Sequence, residues 1–168
     1  MSEFINLYDQ NRKLLNREVD RTTYLFQPGE FMMYVLAILE NSQGEFLVTQ
    51  RAFNKKWAAG NWEMPGGGAK SKESSLDAIK REVKEETGLD VTKGKEEYLF
   101  TYHRENPGEG DNYFVDVYRF TLDFTEDDVH NQERETTGFK LATVDEIKKY
   151  ANEGIFLHYD SIKKAFEI

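Results

Sequence analysis

The chain has no cysteine, and its 168 residues include only three prolines, three histidines and two tryptophans. Without cysteine there is no disulfide and no thiolate metal site, which is compatible with a reducing cytoplasm. The histidines, His103, His130 and His158, are scattered and form no ligand spacing, so they read as structural or surface residues. The longest apolar run, residues 31–39, is too short to span a bilayer, and Met1-Ser2-Glu3-Phe4 lacks the basic and apolar regions of a secretory signal. The expectation is a soluble cytoplasmic protein. Positive charge is scarce: 22 Lys and Arg stand against 31 Asp and Glu, a net charge of −9 that argues against nonspecific binding to nucleic-acid backbones. No linker, low-complexity tract or repeat interrupts the chain, so residues 1–168 read as one domain with room for a sizeable core.

What is present has clear punctuation. Within residues 1–24, Ile5, Leu7 and Tyr8 precede the polar turn Asp9-Gln10-Asn11-Arg12, and Leu14 and Leu15 follow it, predicting a hairpin arm. Residues 32–39 form a continuous apolar run typical of a central strand, followed by the turn Asn41-Ser42-Gln43-Gly44 and a return strand over 45–51. Residues 97–103 and 113–124 read as paired strands across a turn-rich loop, and 139–142 as a short strand. Thr143-Val144-Asp145-Glu146 is a capping box for a helix to about Asn152, and a last helix begins near Asp160.

The densest chemistry lies in residues 67–89, GGAKSKESSLDAIKREVKEETGL. Ser74-Ser75-Leu76-Asp77 has the form of a capping box, and Gly88 can take the left-handed C-terminal position, so a helix spans the interval. Leu76, Ile79 and Val83 make its apolar stripe, which places Glu82, Glu85 and Glu86 together on an adjacent face. Like charges at that spacing destabilise a helix by roughly 0.2–0.5 kcal/mol a pair, and the helix dipole disfavours them in its C-terminal half. Divalent cations make sense of the arrangement. Hard oxygen ligands suit Mg2+ or Mn2+, which keep waters and substrate phosphate oxygens in their shells. The preceding Pro65-Gly66-Gly67-Gly68 lets backbone approach a metal or phosphate closely.

The spacing Gly67, Glu73, Arg81-Glu82, Val83, Glu85-Glu86 and Gly88-Leu89 resembles the box of the Nudix hydrolase family (MutT-like), GX5EX7REUXEEXGU with U aliphatic, at every specified position. Arg51-Ala52-Phe53-Asn54-Lys55-Lys56-Trp57-Ala58-Ala59-Gly60-Asn61-Trp62-Glu63 looks like the lead-in of many members. The resemblance implies an α+β fold, an α/β/α sandwich with a mixed central β-sheet between helices, and hydrolysis of a diphosphate joined to another group. Glu85 and Glu86 would then be the principal ligands of Mg2+ or Mn2+, with Glu82 a further ligand or the base that activates water. Arg81 would orient Glu82 and Glu73, and the Gly66 carbonyl would join the metal shell. Some members take the base from a later loop, where Glu133 and Glu135 are the candidates here. The substrate would be a small nucleotide or other diphosphate, and family habit allows a homodimer.

Other residues are candidate substrate contacts. Arg51, Lys55, Lys56, Lys70 and Arg104 are candidates for phosphate, and the net charge implies that an anion is repelled until metal neutralises the site. Trp57, Trp62, Tyr102 and Tyr113 are candidates for stacking on a base, or for core and lid packing. Pro107 lies near where members acting on ADP-ribose carry a proline, with an imperfect offset. Two readings rival hydrolysis: an isopentenyl diphosphate isomerase, which the missing cysteine disfavours, and a non-catalytic nucleotide sensor, which the complete set of box carboxylates disfavours.

Overall fold

The computed structural model describes residues 3–55, 57–106, 112–130 and 136–167. The arm forms the expected hairpin: β1 (Phe4–Tyr8) pairs antiparallel with β2 (Leu14–Asp20), Ile5 opposite Val19. Alternation turns Ile5 and Leu7 inward, where they are buried with Phe26 and Met32 in a small core of their own.

The central strand β3 (Met32–Glu40) runs parallel to β8 (Tyr113–Thr121) along its whole length, and β8 pairs antiparallel with β7 (Lys95–Arg104). The two faces of β3 feed different cores, Val35, Ala37 and Leu39 on one side and Ile38 on the other, which is why its sequence reads as continuously apolar.

The return strand β4 (Phe46–Arg51) does not simply zip back along β3. Only Glu40 and Phe46 pair, and beyond them the strands diverge. β4 pairs instead with β9 (Thr136–Ala142) and with the two-residue β5 (Trp62–Glu63), while β3 takes the three-glycine β6 (Gly66–Gly68). The sheet order is β5-β4-β3-β8-β7, with β6 on β3 and β9 on β4.

Helix α1 (Ser75–Thr87) buries Ala78, Ile79 and Val83 against one face of this mixed sheet. On the other face, α2 (Val144–Asn152) and α3 (Tyr159–Ile162) bury Ile147 and Ile162 against Ile38, Val48 and Val117. The result is the expected α/β/α sandwich. The ends of α1 follow its sequence: the Ser74 hydroxyl accepts the Asp77 N–H at 3.0 Å, and Gly88 closes the helix with φ 77°. Of the predicted capping box at Ser74 this is the hydroxyl half, whereas Thr143 and Glu146 at α2 form both halves. Among the described residues no helix is long and apolar enough to cross a membrane.

Candidate active site

Where β3 and β4 part, a cleft of about 1160 Å3 opens. It is lined by β6 and the C-terminal half of α1, by Thr49, Arg51 and Glu63 from β4 and β5, and by Tyr34, Tyr102 and Tyr113. Its size is ample for a nucleoside diphosphate derivative.

Arg81 organises the acidic wall. Its Nε and one terminal nitrogen grip the two Glu73 oxygens at 2.7 and 2.9 Å, and that second nitrogen also donates to the Gly68 carbonyl at 3.1 Å. The other terminal nitrogen donates to Glu82 at 2.9 Å and Glu85 at 3.3 Å. Burial pushes the Glu82 carboxyl above its ordinary pKa against the pull of Arg81, with Glu85 and Glu3 adding to the rise. Burial also opposes ionisation of Glu73, but the Arg81 fork and the Lys70 N–H outweigh it and hold that carboxyl below the usual range. Glu73, expected in the catalytic set, does not line the cleft. It lies behind Arg81 as its anchor.

The glycine strand sets the distance between sheet and helix. Pro65 O and Met33 O accept the Ala37 and Ala69 N–H groups, so ladder alternation turns the polar groups of Gly66 and Gly68 away from β3. There the Gly66 N–H meets Glu86 at 3.4 Å, and the Gly66 carbonyl shares that direction. A Cβ on Gly67 would meet the Glu82 carboxyl carbon at 2.5 Å, so only glycine lets that carboxylate tuck beneath the strand.

An all-oxygen donor set of Glu82, Glu85, Glu86 and the Gly66 carbonyl fits Mg2+ or Mn2+ in chemistry. It is not preassembled: among the described residues no three acid or histidine side chains converge to hold an ion alone. One terminal nitrogen of Arg81 pairs with both Glu82 and Glu85. An ion would be completed by substrate oxygens and water, as is usual for Mg2+.

Of the proposed phosphate contacts, Arg51, Lys55, Lys70 and Arg104 line the cleft, while Lys56 lies outside the described residues. Among the described residues six cationic and five acidic side chains line it, so the chain's acidic excess is not concentrated in the cleft. Trp57 is exposed at the rim beneath the Arg51 guanidinium, 5.2 Å from its ring centre. Trp62 instead stacks on Tyr150 at 5.5 Å and serves the core, not the cleft. His158, expected to be structural or surface, lines the cleft with its ring 6.1 Å from Trp57. Glu133, Glu135 and Pro107 lie outside the described residues. The sequence reading missed Glu3, Phe4, Arg21, Tyr34 and Glu63, all of which line the cleft. Glu63 closed the quoted lead-in motif and was legible; the others reach the cleft only through tertiary pairing.

The family model described as "NUDIX domain" matches residues 30–160. The Nudix hydrolase lin0387 of Listeria innocua is 28% identical over 91% of this chain and 90% of its own length. The CTP pyrophosphohydrolase of Escherichia coli is 36% identical over 46% of this chain and 55% of its own. Among solved structures, DR0079 from Deinococcus radiodurans superposes with a TM-score of 0.70 at 21% identity, covering 89% of this chain and 90% of that one.

Proposed function

This chain belongs to the Nudix family of hydrolases, and from that premise we propose that it cleaves the diphosphate linkage of a nucleoside diphosphate derivative or a nucleoside triphosphate, with Mg2+ or Mn2+, by water attack at phosphorus. The observation that carries the proposal is the grip of Arg81 on Glu73, Glu82 and Glu85 beside the glycine strand at the cleft wall. In this reading Glu85 and Glu86, with the Gly66 carbonyl, hold the cation, and Glu82 is a further ligand or takes the proton of the attacking water. The bound ion would supply charge neutralisation at the diphosphate and a lowered pKa of water. Arg81 keeps Glu82 and Glu85 in place, with Glu73 locking Arg81 from behind. Arg51, Lys55 and Arg104 contact substrate phosphate at the remaining walls.

Tyr34 and Tyr113 pack against both the hairpin core and the α2 side core, which supports residues 1–168 acting as one domain. The similarity to a CTP pyrophosphohydrolase covers under half of this chain and favours a nucleotide without choosing the base. A small-molecule substrate and a cytoplasmic setting complete the reading.

The test is a screen of nucleoside triphosphates, nucleotide sugars and dinucleoside polyphosphates with Mg2+ or Mn2+, with every product identified. Pyrophosphate plus a monophosphate assigns a triphosphate pyrophosphohydrolase; a nucleoside monophosphate plus a phosphorylated group assigns a diphosphate-derivative hydrolase. No turnover of any of them, with wild-type binding retained, would move the assignment to a sensor. Glu85→Gln must abolish whatever turnover is found.

A further inference from the structure

The region matched by the family model begins at residue 30, yet the hairpin before it builds part of the cleft: Glu3, Phe4 and Arg21 all line it. The hairpin is firmly seated. Ile5 and Leu7 are fully buried, Tyr8 and Phe31 exchange backbone hydrogen bonds at 2.8 and 2.9 Å, and the Ser71 N–H donates to the Phe4 carbonyl at 2.8 Å. Arg21, just past the end of β2, is therefore delivered to a fixed place. One of its terminal nitrogens donates to the Tyr34 hydroxyl at 2.7 Å, its guanidinium lies 5.2 Å from the Tyr34 ring centre, and Glu3 sits 3.5 Å away.

Successive residues of a strand face opposite sides. A Cβ on Gly67 would meet the Glu82 carboxylate, and a Cβ on Gly68 would meet an Arg21 terminal nitrogen at 2.9 Å. The glycine strand is thus flanked by a carboxylate on one side and a guanidinium on the other, with only backbone between them. A diphosphate laid along this strand has its two ends treated differently. The phosphate near Glu85 and Glu86 needs a cation to be tolerated there; the other meets a fixed, planar, permanently charged donor suited to phosphate oxygens.

We infer that Arg21 is a substrate-binding residue that holds the anionic oxygens of the phosphate farther from the carboxylate helix, which makes the N-terminal hairpin part of the active site. The inference rests on the diphosphate-cleaving reading above. Arg17, on the same hairpin, pairs with Glu30 and Tyr24 and does not line the cleft, so it is an internal control.

The test is calorimetric titration of the full chain, in Mg2+, with the non-hydrolysable probe methylenediphosphonate. Loss of a charge-assisted contact predicts that Arg21→Ala raises Kd at least tenfold, that Arg21→Lys recovers part of the loss, and that Arg17→Ala binds like wild type. With the nucleotide substrate found in the screen, the same loss falls mainly on KM. Should Arg21→Ala fail to fold, Arg21→Gln, shorter than arginine and uncharged but still polar, carries the same expectation. Wild-type affinity in the folded Arg21 variants would overturn the inference and leave the diphosphate reading standing. If wild type itself does not bind the probe in Mg2+, the inference is overturned, whereas the diphosphate reading stands or falls separately with turnover in the screen.

Discussion

Arg81 and Glu73 meet through two parallel hydrogen bonds, Nε to Oε2 at 2.7 Å and a terminal nitrogen to Oε1 at 2.9 Å, and Glu73 stands outside the cleft that Arg81 lines. The pair is therefore a bracket: Glu73 fixes the guanidinium so that its far nitrogen faces Glu82 and Glu85. Glu73→Gln keeps the size but loses the charged fork, which is worth roughly 1.5–3 kcal/mol. The expected outcome is a fall in kcat of about 10–100-fold with KM nearly unchanged. Arg81→Lys, which cannot span Glu73 and Glu82 with one rigid plane, loses at least as much. Steady-state kinetics on both variants, beside their thermal unfolding, checks the assignment.

The same bracket predicts an acid limb of stability. Burial raises the Glu73 carboxyl, but the Arg81 hydrogen bonds and the Lys70 N–H lower it further, leaving it below its ordinary value. A carboxyl whose folded pKa is depressed contributes stability above its unfolded pKa, about 4.3, and loses it as pH falls through the folded value. Wild type should therefore lose Tm more steeply below about pH 4.5 than Glu73→Gln does. Parallel Tm curves for the two proteins from pH 3 to 7 would exclude this role.

Much of this arrangement is legible in the sequence, for reasons local to the chain. Helix α1 announces itself through Ser74, the Ile79 and Val83 stripe and Gly88, and the three glutamates follow from its periodicity. The hairpin was equally visible, because Ile5 and Leu7 alternate toward a core. What stayed hidden depends on pairing between distant segments. β5 and β6, two and three residues long, are too short to show a period, and glycines carry no pattern at all. The parting of β3 from β4 leaves no trace in either strand, although it opens the cleft. Arg21 sits in an unremarkable polar turn, and only the seating of the hairpin brings it to Tyr34 and Gly68.

Gly67 connects the strand to the Glu82 carboxylate directly. Its φ is not left-handed, so alanine is not excluded by the backbone there; the conflict is the 2.5 Å approach to the Glu82 carboxyl carbon. Glu82 ends in a movable carboxylate, so the side chain gives way and surrenders its 2.9 Å bond from Arg81. Gly67→Ala should fold with a stability change within about 1 kcal/mol while kcat drops at least tenfold. A variant that is fully active would show that the position of Glu82 beneath the strand does not matter to turnover.

The hairpin is joined to the sheet by a long-range ion pair whose energetics can be separated from catalysis. Asp116, fully buried on β8, receives Arg12 from the hairpin turn through Nε at 3.1 Å and a second, shorter bond, and it also accepts the Thr101 hydroxyl at 2.7 Å. Neither Arg12 nor Asp116 lines the cleft. Removing Arg12 leaves a buried carboxylate that still accepts the Thr101 hydroxyl but has lost its counter-charge, and stranding a buried charge in this way costs about 3 kcal/mol. Arg12→Met should therefore lower Tm by roughly 6–12 °C. Replacing both partners removes the stranded charge as well as the attraction, so Arg12→Met combined with Asp116→Leu should recover most of that loss. Recovery in the double variant identifies desolvation of Asp116 as the term that the pair offsets. If the losses of Arg12→Met and of Asp116→Leu alone instead add, the two residues are not energetically coupled and the ion pair is not what holds the hairpin.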